Sequence, residues 1–98
     1  MATVGFPSQG KTYSLADLEA GKVEIAEGAF ITKIKNAEGV ATVLAALEKE
    51  FQWKPTSVLT SMDMVVGKLD QAKIAWLLAR EELEFIEADG IVTICEKS

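Results

Sequence analysis

Apolar positions recur along this chain with two periods. Val40, Val43, Leu44, Leu47 and Phe51 are spaced as one stripe of an α-helix, with Glu48, Lys49 and Glu50 off to its side. Asn36 suits the N-cap of that helix and Glu38 its first turn. Trp53-Lys54-Pro55 stops it, because the residue before a proline avoids the α region. A second helical pattern runs from Leu69 or Asp70 to about Glu84 through Ala72, Ile74, Ala75, Trp76, Leu77, Leu78, Ala79 and Leu83. Between the two, Thr56 or Ser57 caps a shorter predicted helix carrying Val58, Leu59 and Met62 and reaching Met64 or Val65, with Gly67 as its breaker. Phe85-Ile86-Glu87-Ala88 and Ile91-Val92-Thr93-Ile94-Cys95 then flank Asp89-Gly90, the pattern of two strands around a tight turn.

The N-terminal third is less regular. Residues 1–13 are punctuated by Gly5, Pro7, Ser8, Gln9 and Gly10 and predict no regular element. Ser14 as N-cap with Asp17 at the N3 position predicts a short helix that Gly21 ends. Val23, Ile25, Phe30, Ile31 and Ile34 mark one bent strand or a hairpin around Gly28. The resulting order is strand, helix, short helix, turn, long helix, hairpin. It predicts an α+β winged helix-turn-helix: three helices, a C-terminal β-hairpin wing and an extra N-terminal strand or hairpin. Residues 1–22 would be an N-terminal arm with a possible short helix, and residues 23–98 the winged-helix domain.

The stretch from Asn36 to Glu96 resembles a small bacterial winged helix-turn-helix family of unassigned function. The residues that carry the resemblance are Asn36-Ala37-Glu38-Gly39-Val40, Ala75-Trp76-Leu77-Leu78-Ala79-Arg80-Glu81, Glu84-Phe85 and Gly90. The resemblance implies the fold and says little about partners; DNA binding in transcriptional regulation is expected, slightly ahead of the alternatives, because winged helices so often read DNA. It implies no enzymatic activity.

Composition narrows the chemistry. The 98 residues include no histidine and one cysteine. Ser-His-Asp and Cys-His catalysis, His-bearing zinc sites and thiolate cages are therefore out, and no catalytic group, metal or cofactor is expected. Cys95 has no internal disulfide partner, which agrees with a reducing compartment. No apolar run approaches the ~20 residues of a membrane span. The N-terminal residues lack a basic region and a long apolar stretch, so no signal peptide and a cytoplasmic location are expected.

The net charge of −5 is unevenly placed. Residues 1–35 and 36–80 each balance, while Glu81, Glu82, Glu84, Glu87, Asp89 and Glu96 stand against Lys97 alone. An acidic hairpin repels a phosphate backbone. The DNA-contact candidates are Lys68, Gln71, Lys73 and Arg80, on or beside the long helix. The plainer view of that helix face is solvated ion pairs, Asp70 with Lys73 and Arg80 with Glu84. A protein-protein interaction or homodimerisation module without DNA binding is the alternative function, since the helix is apolar on more than one side.

Three smaller features complete the picture. Gly5-Phe6-Pro7-Ser8-Gln9-Gly10-Lys11-Thr12 fits the P-loop spacing, but only Ala2-Thr3-Val4 precedes it and Pro7 lacks the N–H a phosphate cradle uses. Trp53 and Trp76, the latter on a stripe with Ala72, Ala79 and Leu83, are expected in the core. Met62 and Met64 read as gap fillers, and Cys95 as a small apolar strand residue.

Overall fold

The computed structural model describes residues 2–97. Its elements are β1 (Thr3–Phe6), β2 (Lys11–Ser14), α1 (Leu15–Glu19), β3 (Val23–Ile25), β4 (Gly28–Ile34), α2 (Ala37–Phe51), β5 (Ser57–Leu59), β6 (Met64–Leu69), α3 (Gln71–Leu78), β7 (Leu83–Ala88) and β8 (Ile94–Glu96). The helices begin where their caps require. Ser14 and Asp17 form a reciprocal capping box on α1, Asn36 accepts from the Gly39 N–H on α2, and Asp70 accepts from the Lys73 N–H on α3. Gly21, at φ +71°, lies just beyond α1.

The main sheet has six strands in the order β2-β1-β7-β4-β6-β5. Within it, β4-α2-β5 and β6-α3-β7 are two interleaved split βαβ units. Their strands lie β7-β4-β6-β5, all antiparallel, which is the ferredoxin-like arrangement. β1 extends this sheet by pairing parallel to β7, and β2 closes the far edge. β3 and β8 form a separate two-stranded ribbon. The core fills the space between the helices and one face of the main sheet: Phe6, Phe30, Ile34, Leu69 and Ile86 meet Val43, Leu47, Ile74 and Leu77.

This corrects the winged helix-turn-helix. A wing needs the runs on either side of Asp89-Gly90 to pair with each other. Instead β7 lies inside the sheet between β1 and β4, and the chain continues through Gly90 (φ +98°) to pair β8 with β3. The helix expected through Glu84 ends at Leu78, because Leu83–Ala88 is needed as a central strand. The short helix expected from Thr56 or Ser57 is the β5–β6 hairpin, joined by one 3-10 turn at Thr60–Met62 that closes on Asp63 at φ +54°. Val58, Val65 and Val66 favour that extended backbone. Residues 3–13, expected to be irregular, belong to the β1–β2 hairpin, with a 3-10 turn at Pro7–Gln9 closing on Gly10 at φ +64°.

The buried stripe of α3 is Ile74, Leu77 and Leu78. Ala72 and Ala79 are exposed, and Trp76 is half-buried against Phe51. Trp53 lies over Gly67 as core-type packing, its indole N–H donating to the Lys68 carbonyl at 2.6 Å.

Candidate functional site

The helices cover one face of the main sheet only. Register fixes which side chains line the other, because paired residues point the same way and alternate along each strand. Phe30 pairs with Gly67 and Ala88, and Thr32 with Val65 and Ile86; these face the helices. Ile31 therefore shares the opposite face with Val66 and Glu87, and Lys33 shares it with Met64 and Phe85. Two rows cross that face. One runs Thr12, Gly5, Glu87, Ile31, Val66, Ser57; the other includes Phe85, Lys33, Met64 and Leu59.

The middle of this face sets four apolar side chains beside Lys33 and Glu87, and no helix covers it. Ile31, Met64, Val66 and Phe85 are half-buried, held only by their neighbours in the sheet, and none packs against the core cluster. At one edge Leu59 is 38% and Met62 51% exposed. Met62 and Met64 are thus surface residues rather than core gap fillers. Lys33 Nζ donates to the Met62 carbonyl at 2.6 Å, which steadies the Thr60–Met62 turn against β4. Large single exposed apolar side chains are ordinary, but a contiguous patch on a flat sheet is the kind of surface that proteins bury.

The four residues chosen as DNA contacts do not share a surface. Lys68, on β6, is exposed on the open sheet face beside Ala29. Gln71 opens α3 on the helix side. Its amide oxygen accepts the Ile25 N–H at 2.8 Å and its amide nitrogen donates to the Val23 carbonyl at 3.2 Å. Gln71 thereby does for the free edge of β3 what a neighbouring strand would do. Lys73 bonds Asp70 at 3.0 Å and lies 5.2 Å from the Phe51 ring centre. Arg80 sits beyond the end of α3, makes two 3.1 Å bonds to Glu82 rather than Glu84, and stacks 4.6 Å over Trp76. The backbone N–H of Lys73, then its ammonium, hold the Asp70 carboxyl below its usual range; the Arg80 hydrogen bonds do the same for Glu82.

The P-loop-like stretch is a β-hairpin. Gly5 lies in β1, and Lys11 and Thr12 in β2, with no helix springing from the turn between them. Lys11 Nζ bonds Glu96 at 3.0 Å, and Glu96 is the main cause of the raised Lys11 pKa. A broad depression of about 410 Å³ beside Lys35, Arg80, Glu81 and Glu84 mixes both signs of charge. Among the described residues no three His, Cys, Asp or Glu side chains converge as a metal site. Among the described residues no helix is long and apolar enough to cross a membrane. Cys95 is an exposed free thiol rather than a buried strand residue.

What the sequence reasoning missed is the sheet face itself. Its signal was present as adjacent apolar residues within strands, Phe30-Ile31 and Val65-Val66, where period-two alternation makes one of each pair face away from the core. The fold defines the class, a helix-covered split βαβ sheet with one bare face. No family model, curated protein or solved structure matches the chain.

Proposed function

We propose that this chain is a non-enzymatic binding module that docks a protein partner through the open face of its six-stranded sheet. The supporting observation is the uncovered apolar centre at Ile31, Met64, Val66 and Phe85, continued by Leu59 and Met62. A sheet carrying apolar side chains on both faces gains by burying the second against another layer. The split βαβ fold serves many purposes, so the proposal rests on this face and not on the fold.

Duplex DNA is the weaker partner. Phosphate binding needs free basic side chains gathered on one surface. Lys73 and Arg80 are engaged within the chain, Gln71 is spent on β3, and Lys68 lies on the other side of the sheet. A cytoplasmic location belongs to the same proposal and is supported by the unpaired, exposed thiol of Cys95.

Site-specific photo-cross-linking inside the native cell tests the docking face. A photoreactive residue at Ile31 or Val66 should give protein adducts that vanish with Phe85→Asp, while the same group at Ala72, on the exposed side of α3, should give none. Equal labelling from both layers would defeat the assignment of this face. In parallel, fluorescence anisotropy of a labelled duplex should stay flat at ~20 mM salt, where an electrostatic footprint is strongest.

A further inference from the structure

We infer that the occupant of this face is a second copy of the chain, packed sheet to sheet about a two-fold axis. The inference rests on the docking face proposed above and adds the identity of what covers it.

Four residues at the centre of the face form a rectangle. Glu87 is beside Ile31 in one row, and Phe85 beside Lys33 in the next. The two charges occupy one diagonal, the two apolar residues the other. Neither charge has an ion-pair partner among the described residues; the Lys33 ammonium meets only the Met62 carbonyl. A partner of arbitrary surface would have to supply an acid for Lys33 and a base for Glu87 in the right places. A second copy supplies both by symmetry.

The geometry follows from the diagonal. A two-fold axis lying between two facing sheets, along the line from Phe85 to Ile31, reflects each sheet's pattern across that line. Phe85 then packs on the partner's Phe85 and Ile31 on the partner's Ile31. Lys33 comes to lie roughly 3 Å from the point over the partner's Glu87, and Glu87 equally near the partner's Lys33, an offset that the long lysine stem spans. The pattern is self-complementary, as an isologous interface must be. Met64 and Val66 extend the apolar centre on the β6 side, while the hydroxyls of Thr12 and Ser57 at the two ends of one row suit a polar rim.

The area is adequate. Strands about 4.8 Å apart and about 3.3 Å of rise per residue make the face roughly 25 Å by 20 Å. With pleated side chains, its accessible surface is on the order of the ~800 Å² per partner of a standard stable interface.

Sedimentation equilibrium of the full chain, from ~5 to ~500 µM at ~150 mM salt, tests this at a screening length of about 8 Å. The wild type should sediment at twice the chain mass. Lys33→Glu and Glu87→Lys should each weaken association at least tenfold, because each places like charges face to face twice in one dimer. The combined variant, Lys33→Glu with Glu87→Lys, should restore it. Ala72→Glu, on the helix layer, should leave it unchanged, and thermal melts followed by circular dichroism confirm that each variant folds. A monomeric wild type at ~500 µM overturns the second copy, as does failure of the double swap to rescue. A monomer whose sheet positions still cross-link a different protein in the cell would overturn this inference and leave the docking face standing. A monomer with no face-specific cross-link would overturn both.

Discussion

At the scale of single residues, two contacts decide local structure that propensity leaves open. A Cβ added at Gly67 would lie 2.5 Å from Cζ2 of Trp53 and 3.5 Å from the Pro55 backbone. The indole cannot swing aside freely, since its N–H is bound to the Lys68 carbonyl. Gly67→Ala should therefore cost about 1–3 kcal/mol, the range for overpacking a tight site. Urea unfolding measures it, and an unchanged midpoint would show that the ring yields without loss. Gln71 is the second contact. Removing its amide strands the Ile25 N–H and Val23 carbonyl on the unpaired edge of β3. Gln71→Ala should cost about 1–3 kcal/mol, the penalty for leaving partly buried polar groups unsatisfied. Hydrogen exchange at Ile25 should rise more than at residues of β4. Uniform acceleration across both strands would point to global destabilisation instead.

At the scale of elements, what was legible was what is encoded locally. Ser14 and Asn36 are legible as caps, and Asp70 or Leu69 as a helix opening that the structure resolves to a cap at Asp70, because a cap acts within three residues. Asp70→Ala should cost about 1 kcal/mol at neutral pH, a usual cap value. The carboxyls of Asp70 and Glu82 are both held below their usual range, so their contribution is complete above the unfolded value near 4 and is lost as pH falls through the lower folded one. The deficit of Asp70→Ala should thus shrink between pH ~6 and pH ~2.5 in paired urea titrations, as protonation weakens the wild-type cap too. A constant deficit would remove the charged carboxylate from the explanation. Gln52 ends α2 in the left-handed region at φ +54°, where glycine carries no Cβ penalty. Gln52→Gly should stabilise the fold by about 0.5–1 kcal/mol, raising the melting temperature. The strands were less legible because their partners are distant. Ala75 to Glu84 continues as strong helix formers, and only the slot between β1 and β4 turns Leu83–Ala88 into β7. The Asp89-Gly90 turn looks like a hairpin locally, yet β8 finds its partner in β3, near the other end of the chain. The open face shared that fate: Ile31, Lys33, Phe85 and Glu87 become neighbours only once β4 and β7 pair. Candidates on or beside the long helix are therefore Gln71, Lys73 and Arg80, each bonded within the chain, and Lys68, which β6 turns to the open face.

At the scale of the whole molecule, the net charge of −5 acts against self-association and makes it salt-dependent in an unusual direction. Two sheets packed about 10 Å apart place the centres of the two copies roughly 20 Å apart. Twenty-five unit-charge repulsions at that distance in water amount to about 5 kcal/mol before screening. A screening length of about 30 Å at ~10 mM salt leaves roughly half of that, whereas about 8 Å at ~150 mM leaves less than a tenth. Salt therefore relieves about 2 kcal/mol of repulsion. The two pairs of Lys33 with the partner's Glu87 are close and lose much less, about 0.5 kcal/mol in total over the same range. The balance favours association by roughly 1.5 kcal/mol, so the dimer should tighten about tenfold between ~10 and ~150 mM salt. Sedimentation equilibrium at the two ionic strengths reads this directly. Weakening with added salt would mean that short-range ion pairs dominate the interface, and that the apolar centre at Ile31 and Phe85 contributes less than its area implies. An unchanged constant would mean that relief of the net-charge repulsion and screening of the Lys33–Glu87 pairs cancel. The direction of the salt effect separates an interface carried by buried apolar surface, which salt protects from long-range repulsion, from one carried by charge, which salt dissolves.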